Sequence, residues 1–103
     1  MKIVRSKSFT ATKAWDNLPI ANMQGITTKL HWTNKPYIWH TNDGEEIFVV
    51  LDGRVQMFYI EDKQEKSTIL QMGDIFCAQN GDRHKAVPLE ESRILVIEKE
   101  GSI

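Results

Sequence analysis

Residues 39–53, WHTNDGEEIFVVLDG, decide how the rest of the chain is read. They hold a histidine, a polar bend, an acidic pair, an apolar strand and an Asp-Gly turn. Residues 47–51 are apolar on both faces of an extended chain, whereas a strand with one wet face would alternate. Something must therefore cover both sides: a second sheet layer, the N-terminal segment or another subunit. Asp52-Gly53 is a hairpin signal, because a type I′ turn needs positive φ at both central residues.

Outward from this stretch, short strands alternate with turn residues, the all-β pattern. Ile26, Thr28, Leu30 and Trp32 alternate with Thr27, Lys29 and His31, which predicts one buried and one solvated face. On that reading His31 is solvent-exposed. Turn residues at Asn34-Lys35-Pro36, Asn42-Asp43-Gly44, Gly73-Asp74 and Asn80-Gly81-Asp82 separate the later strands. Roughly eight strands at even spacing predict a sandwich or closed barrel. The one helical candidate is a short turn over residues 13–18, ended by Pro19.

A chain of 103 residues is one domain, 1–103, with residues 1–20 expected to pack on the barrel or on a partner subunit. It can bury roughly 65% of its unfolded surface without disulfides. The formal net charge is −1 with 26% charged residues, so the basic field of a nucleic-acid binder is absent. Cys77 is the single cysteine, which excludes an internal disulfide and four-cysteine zinc sites. It reads as packing material in a reducing compartment. No apolar run has the length of a membrane span, and the cytoplasm is the default expectation.

Glu46 shares a strand face with Phe48 and Val50. If that face is the core, an unpaired ionised carboxylate there costs several kcal/mol or takes up a proton. A cation removes that conflict. Two neutral imidazoles and one carboxylate form a ligand set that leaves open positions on non-haem iron. His40, Glu46 and His84 can supply it, with Asn42 as a weak oxygen ligand or a hydrogen-bonding neighbour. Zinc takes the same donor atoms, so donor type does not choose the metal.

At these residues the chain resembles the cupin superfamily. Its first motif, His-x-His, three or four residues, Glu, six residues, Gly, falls on His40, Asn42, Glu46 and Gly53. Its second motif, Gly, five residues, Pro-x-Gly, two residues, His, three residues, Asn, falls on Gly73, Gln79, Gly81, His84 and Pro88. The motifs thus occupy residues 40–53 and 73–88, and the likeness spans about residues 20–98. Asn42, Gln79 and Pro88 depart from the pattern; Asn42 stands where a second histidine would be.

The resemblance implies a cupin-type double-stranded β-helix, a jelly-roll barrel, with His40, Glu46 and His84 as metal ligands and Asn42 beside them. It implies a divalent transition metal (iron, manganese, zinc or nickel), a small-molecule substrate or ligand, and dioxygenase-like or sugar isomerase-like chemistry. The alternative is a non-catalytic binding or sensing module with a degenerate metal site. A homodimer is expected, and neither nucleic acid nor membrane as partner.

Overall fold

In the computed structural model, which describes residues 1–102, nine strands follow a single 3-10 turn at Ser6–Ser8. They are β1 (Asp16–Met23), β2 (Ile26–Thr33), β3 (His40–Thr41), β4 (Glu46–Asp52), β5 (Val55–Glu61), β6 (Gln64–Leu70), β7 (Ile75–Ala78), β8 (Arg83–Pro88) and β9 (Ser92–Lys99). One antiparallel sheet has the order β1-β2-β9-β4-β7 and the other β3-β8-β5-β6. Their facing sides enclose the core of an all-β jelly-roll barrel.

Strand parity and register place that core. Phe48 and Val50 of β4 lie opposite Val96 and Ile94 of β9. Met57 lies opposite Ala86 in the other sheet. With Val55 and Leu70 these side chains form the buried apolar cluster. Continuing the same faces by two residues leads from Phe48 to Glu46, from Val96 to Glu98 and from Ala86 to His84. One end of the barrel interior is therefore apolar and the other polar.

The outer face of the larger sheet is covered by the N-terminal segment. Its 3-10 turn packs on β4, and Arg93 ties it down. That guanidinium donates to the Phe9 carbonyl and to Thr10 Oγ1, both at 2.8 Å, and meets Asp52 Oδ2 at 2.7 Å. Leu30 and Trp32 are buried on this outer side, at 1% and 5% exposure, which explains the doubly apolar reading of the central strands.

Three expectations change. Asp52-Gly53 is no hairpin, because β4 and β5 belong to different sheets. The turn is a corner between layers. Gly53 has φ +81°, and a Cβ there would collide with Ser92 and the Glu91 carbonyl. The hairpins with two successive positive φ values are instead Gln24-Gly25, joining β1 to β2, and Asp62-Lys63, joining β5 to β6. Second, residues 16–18 open strand β1 rather than close a helical turn. Pro19 is tolerated because β1 is an edge strand, and the register shifts beside it. Third, Cys77 lies exposed on edge strand β7. No helix of the described residues is long and apolar enough to cross a membrane.

Candidate metal centre

His40, Glu46 and His84 converge at the polar end of the barrel, their donor atoms all within 4.8 Å of one another. β3 and β8 pair His40 directly with His84, and the two rings stand 4.3 Å apart edge to face. Glu46 enters from the other sheet, at the first residue of β4. Two sheets and three strands thus fix one cluster, none of it on a free loop.

The hydrogen bonds decide which atoms remain available. His40 Nδ1 lies 3.1 Å from the Ile38 carbonyl. A carbonyl only accepts, so Nδ1 carries the proton and Nε2 keeps its lone pair. That Nε2 is buried and has no partner. His84 is 2% exposed, and its Nε2 lies 3.0 Å from Glu46 Oε1. The approach is off the hydrogen-bond direction, so both His84 nitrogens are left without a satisfied bond. Asn42 Nδ2 donates to Glu46 Oε1 at 3.4 Å, a long bond, and Asn42 Oδ1 is buried and unpaired. Buried polar atoms are ordinarily paired. Unpaired lone pairs on His40 Nε2, on one His84 nitrogen and on Asn42 Oδ1 around one carboxylate are the arrangement a cation would satisfy, and the residues fit such a group.

Glu98 completes the electrostatics, and the sequence reading missed it. It lies opposite Glu46 in the β4–β9 ladder. Burial pushes the Glu98 carboxyl up, its hydrogen bond to Glu46 and the charge there push further, and Lys29 only partly opposes them. The result is about 8. Burial also raises Glu46, but the His84 contact, the bond from Glu98, the His84 charge and the Asn42 amide outweigh it. Glu46 ends below the ordinary carboxylate range. At neutral pH Glu98 is the acid that donates and Glu46 the ionised acceptor.

A cavity of about 250 Å³ opens beside the cluster, with Trp15, Lys29, His31 and Tyr37 among its walls. His31 is therefore not the solvent-exposed residue expected. Its Nδ1 lies 3.1 Å from the Trp15 carbonyl, and burial holds its pKa below the ordinary imidazole value, against that bond. Alternation in β2 identified two faces; the polar one turned inward because the barrel is polar at this end. Among the strand aromatics Phe48 lines it, whereas Trp32 faces the outer side and Tyr59 packs against Phe76.

The fold and the cluster define a β-barrel with an inward His-Glu-His donor set. The chain has the fold of a small cupin domain. It is similar to a cupin-2 domain containing protein from Shewanella frigidimarina, with 28% identity over 91% of this chain and 87% of that one, at TM-score 0.77. The fold alone is shared with two others. A hydroquinone 1,2-dioxygenase in complex with Fe3+ has 15% identity over 87% of this chain and 29% of that one, at TM-score 0.77. HppE in its FeII form with substrate has 11% identity over 80% of this chain and 48% of that one, at TM-score 0.67. No family model and no curated protein matches the sequence.

Proposed function

We propose that this cupin binds one divalent transition metal through His40, Glu46 and His84 and acts on a small molecule held in the adjoining cavity. The observation that carries the reading is the set of orphaned buried nitrogens facing an ionised carboxylate. Such an ion, when bound, supplies Lewis acidity or oxygen activation at its open positions. The chain's own residues do the rest. The Ile38 carbonyl fixes the His40 tautomer, and Glu98 and Asn42 orient the Glu46 carboxylate. Phe48 and the Trp15–Tyr37 pair wall the cavity from bulk water. The iron forms of the dioxygenase and of HppE support an iron-type site, and dioxygenase-like chemistry is favoured over isomerase-like chemistry on that ground. Elemental analysis of protein from metal-replete cells tests the reading: about one metal per chain is expected, lost in Glu46→Ala.

A second reading is a non-catalytic binding or sensing module. It is favoured by Asn42, which supplies an amide where an imidazole would strengthen the site. Thermal-shift screening separates the two: stabilising metabolites that undergo no turnover support the second reading, and product formation rejects it.

Homodimeric assembly belongs to the same proposal and rests on Ile47 and Ile75, which remain 39% and 60% exposed on the outer face of the larger sheet. Light scattering at micromolar concentration should give twice the chain mass of 11.9 kDa; the chain mass itself would reject the dimer. Cytoplasmic residence is proposed on the free thiol of Cys77 alone.

A further inference from the structure

Lys29 is the one feature of the cavity that metal binding does not use. In β2 it lies opposite Val96, a core residue of β9, and it shares its inward face with Thr27 and His31. The residue is half-buried and lines the cavity wall. Among the described residues it forms no ion pair. The carboxyl that faces it, Glu98, is engaged by Glu46 instead. A cation on a cavity wall without a paired carboxylate is placed to meet an anion that enters the cavity.

The surroundings narrow the anion. Trp15 and Tyr37 pack with ring centres 5.1 Å apart and planes tilted by 60° to form a largely apolar wall, and the Trp15 indole N–H already donates to the Lys35 carbonyl. No arginine and no helix amino end lines the cavity among the described residues. A phosphate dianion is ordinarily met by several such donors. One ammonium suits one carboxylate. The volume, about 250 Å³, lies below the range of roughly 300–1,000 Å³ that drug-sized ligands occupy, so the acid has few carbons. Ionised Glu46 repels the carboxylate end, which orients a ligand with its other oxygen toward the histidines.

We infer that the cavity takes a short 2-oxo or 2-hydroxy monocarboxylic acid, its carboxylate paired with Lys29 and its carbonyl or hydroxyl oxygen turned to the His40–Glu46–His84 cluster. Only the second contact rests on the metal reading; the first stands on Lys29 alone.

The test is calorimetric titration with pyruvate, lactate, the neutral analogue hydroxyacetone and inorganic phosphate. It is run on zinc-loaded and metal-free protein, for the native chain, Lys29→Met, Lys29→Gln and Lys29→Arg, with metal content measured on every sample. Pyruvate or lactate should bind the native chain, and both neutral variants should weaken that binding by about tenfold or more, the scale of a hydrogen bond to a charged group. Lys29→Arg should retain most of it, and hydroxyacetone should not distinguish the variants. Removing the unpaired ammonium should also leave the melting temperature of ligand-free protein unchanged or higher, which shows that the neutral variants are folded. Lys29-dependent binding in protein that takes up no metal would defeat the metal reading and leave this one standing. Metal uptake with acid binding indifferent to Lys29 would do the reverse. Tighter binding of phosphate than of either acid would overturn the inference. So would the absence of acid binding up to about 10 mM in both metal-loaded and metal-free protein.

Discussion

Glu46 and Glu98 face each other across the β4–β9 ladder, with Glu46 held below the ordinary carboxylate range and Glu98 pushed up to about 8. The two acids are driven apart by their partners. Glu46 meets His84 and the Asn42 amide, while Glu98 is left with burial and the charge of Glu46. A carboxylic acid held neutral beside an ionised one keeps the metal-facing carboxylate in place without adding a second negative charge.

That relationship predicts a pH dependence. Glu98 titrates at about 8 in the folded chain and near its ordinary value of 4.5 when unfolded. A raised acid contributes stability fully present below the unfolded value and lost as pH rises through the folded one. Metal-free protein should therefore lose melting temperature as pH rises from about 4.5 to about 8. His31, whose pKa is lowered, works in the opposite sense: its contribution is present above 6.5 and lost as pH falls. Glu46, also lowered, loses its contribution only at acid pH. His84, His40, His31, Tyr37 and Lys29 are the other charged or titratable groups around the pair. In Glu98→Gln the alkaline decline should vanish while the acid limb remains; an unchanged decline would show that another group governs it.

Asn42 is the adjustable position beside the proposed donor set. Its amide holds Glu46 weakly and leaves Oδ1 buried without a partner. Asn42→His should add an imidazole to the donor set and tighten zinc or nickel binding by about tenfold or more. Competition with a chromogenic chelator measures it. Asn42→Ala should weaken binding by a smaller factor, since it frees the Glu46 carboxylate without removing a strong ligand.

Gly53 marks the corner between the two sheets. Its φ of +81° and the approach of Ser92 both exclude a Cβ. Gly53→Ala should cost about 2–4 kcal/mol, combining backbone strain with displacement of the Ser92 segment. Urea denaturation should show an earlier midpoint with an unchanged slope.

Arg93 holds the N-terminal segment against the barrel, at 7% exposure, through Phe9, Thr10, Asp52 and Glu91. Arg93→Ala strands the Asp52 carboxylate, the Phe9 carbonyl and the Thr10 hydroxyl, a loss of about 3 kcal/mol. Limited proteolysis should then cut within residues 1–14 before the barrel is attacked. Resistance of that segment would mean that apolar packing alone retains it.

The parts of the fold legible in the sequence are those set by local chemistry. The turn glycines, the parity of Glu46 with Phe48 and Val50, and the spacing of His40, Glu46 and His84 all read directly. Strand β1 did not, because DNLPIANM has few strand-forming residues and takes its shape from pairing with β2. Alternation in β2 identified two faces and could not say which was inside, so Lys29 and His31 were misplaced. Glu98 was hidden for a different reason. Its partner lies 52 positions away in register, and no local spacing announces that pairing. The Asp52-Gly53 turn was recognised as a turn, but a hairpin and an inter-sheet corner ask the same positive φ of glycine.

The central claim is the metal centre, and the most direct measurement is the metal content of the native chain and of Glu46→Ala purified side by side from metal-replete cells. The account predicts close to one transition metal ion per native chain and almost none in the variant, with both proteins folded by circular dichroism. A native chain that arrives without metal and takes up none on titration with iron, manganese, zinc or nickel would contradict it.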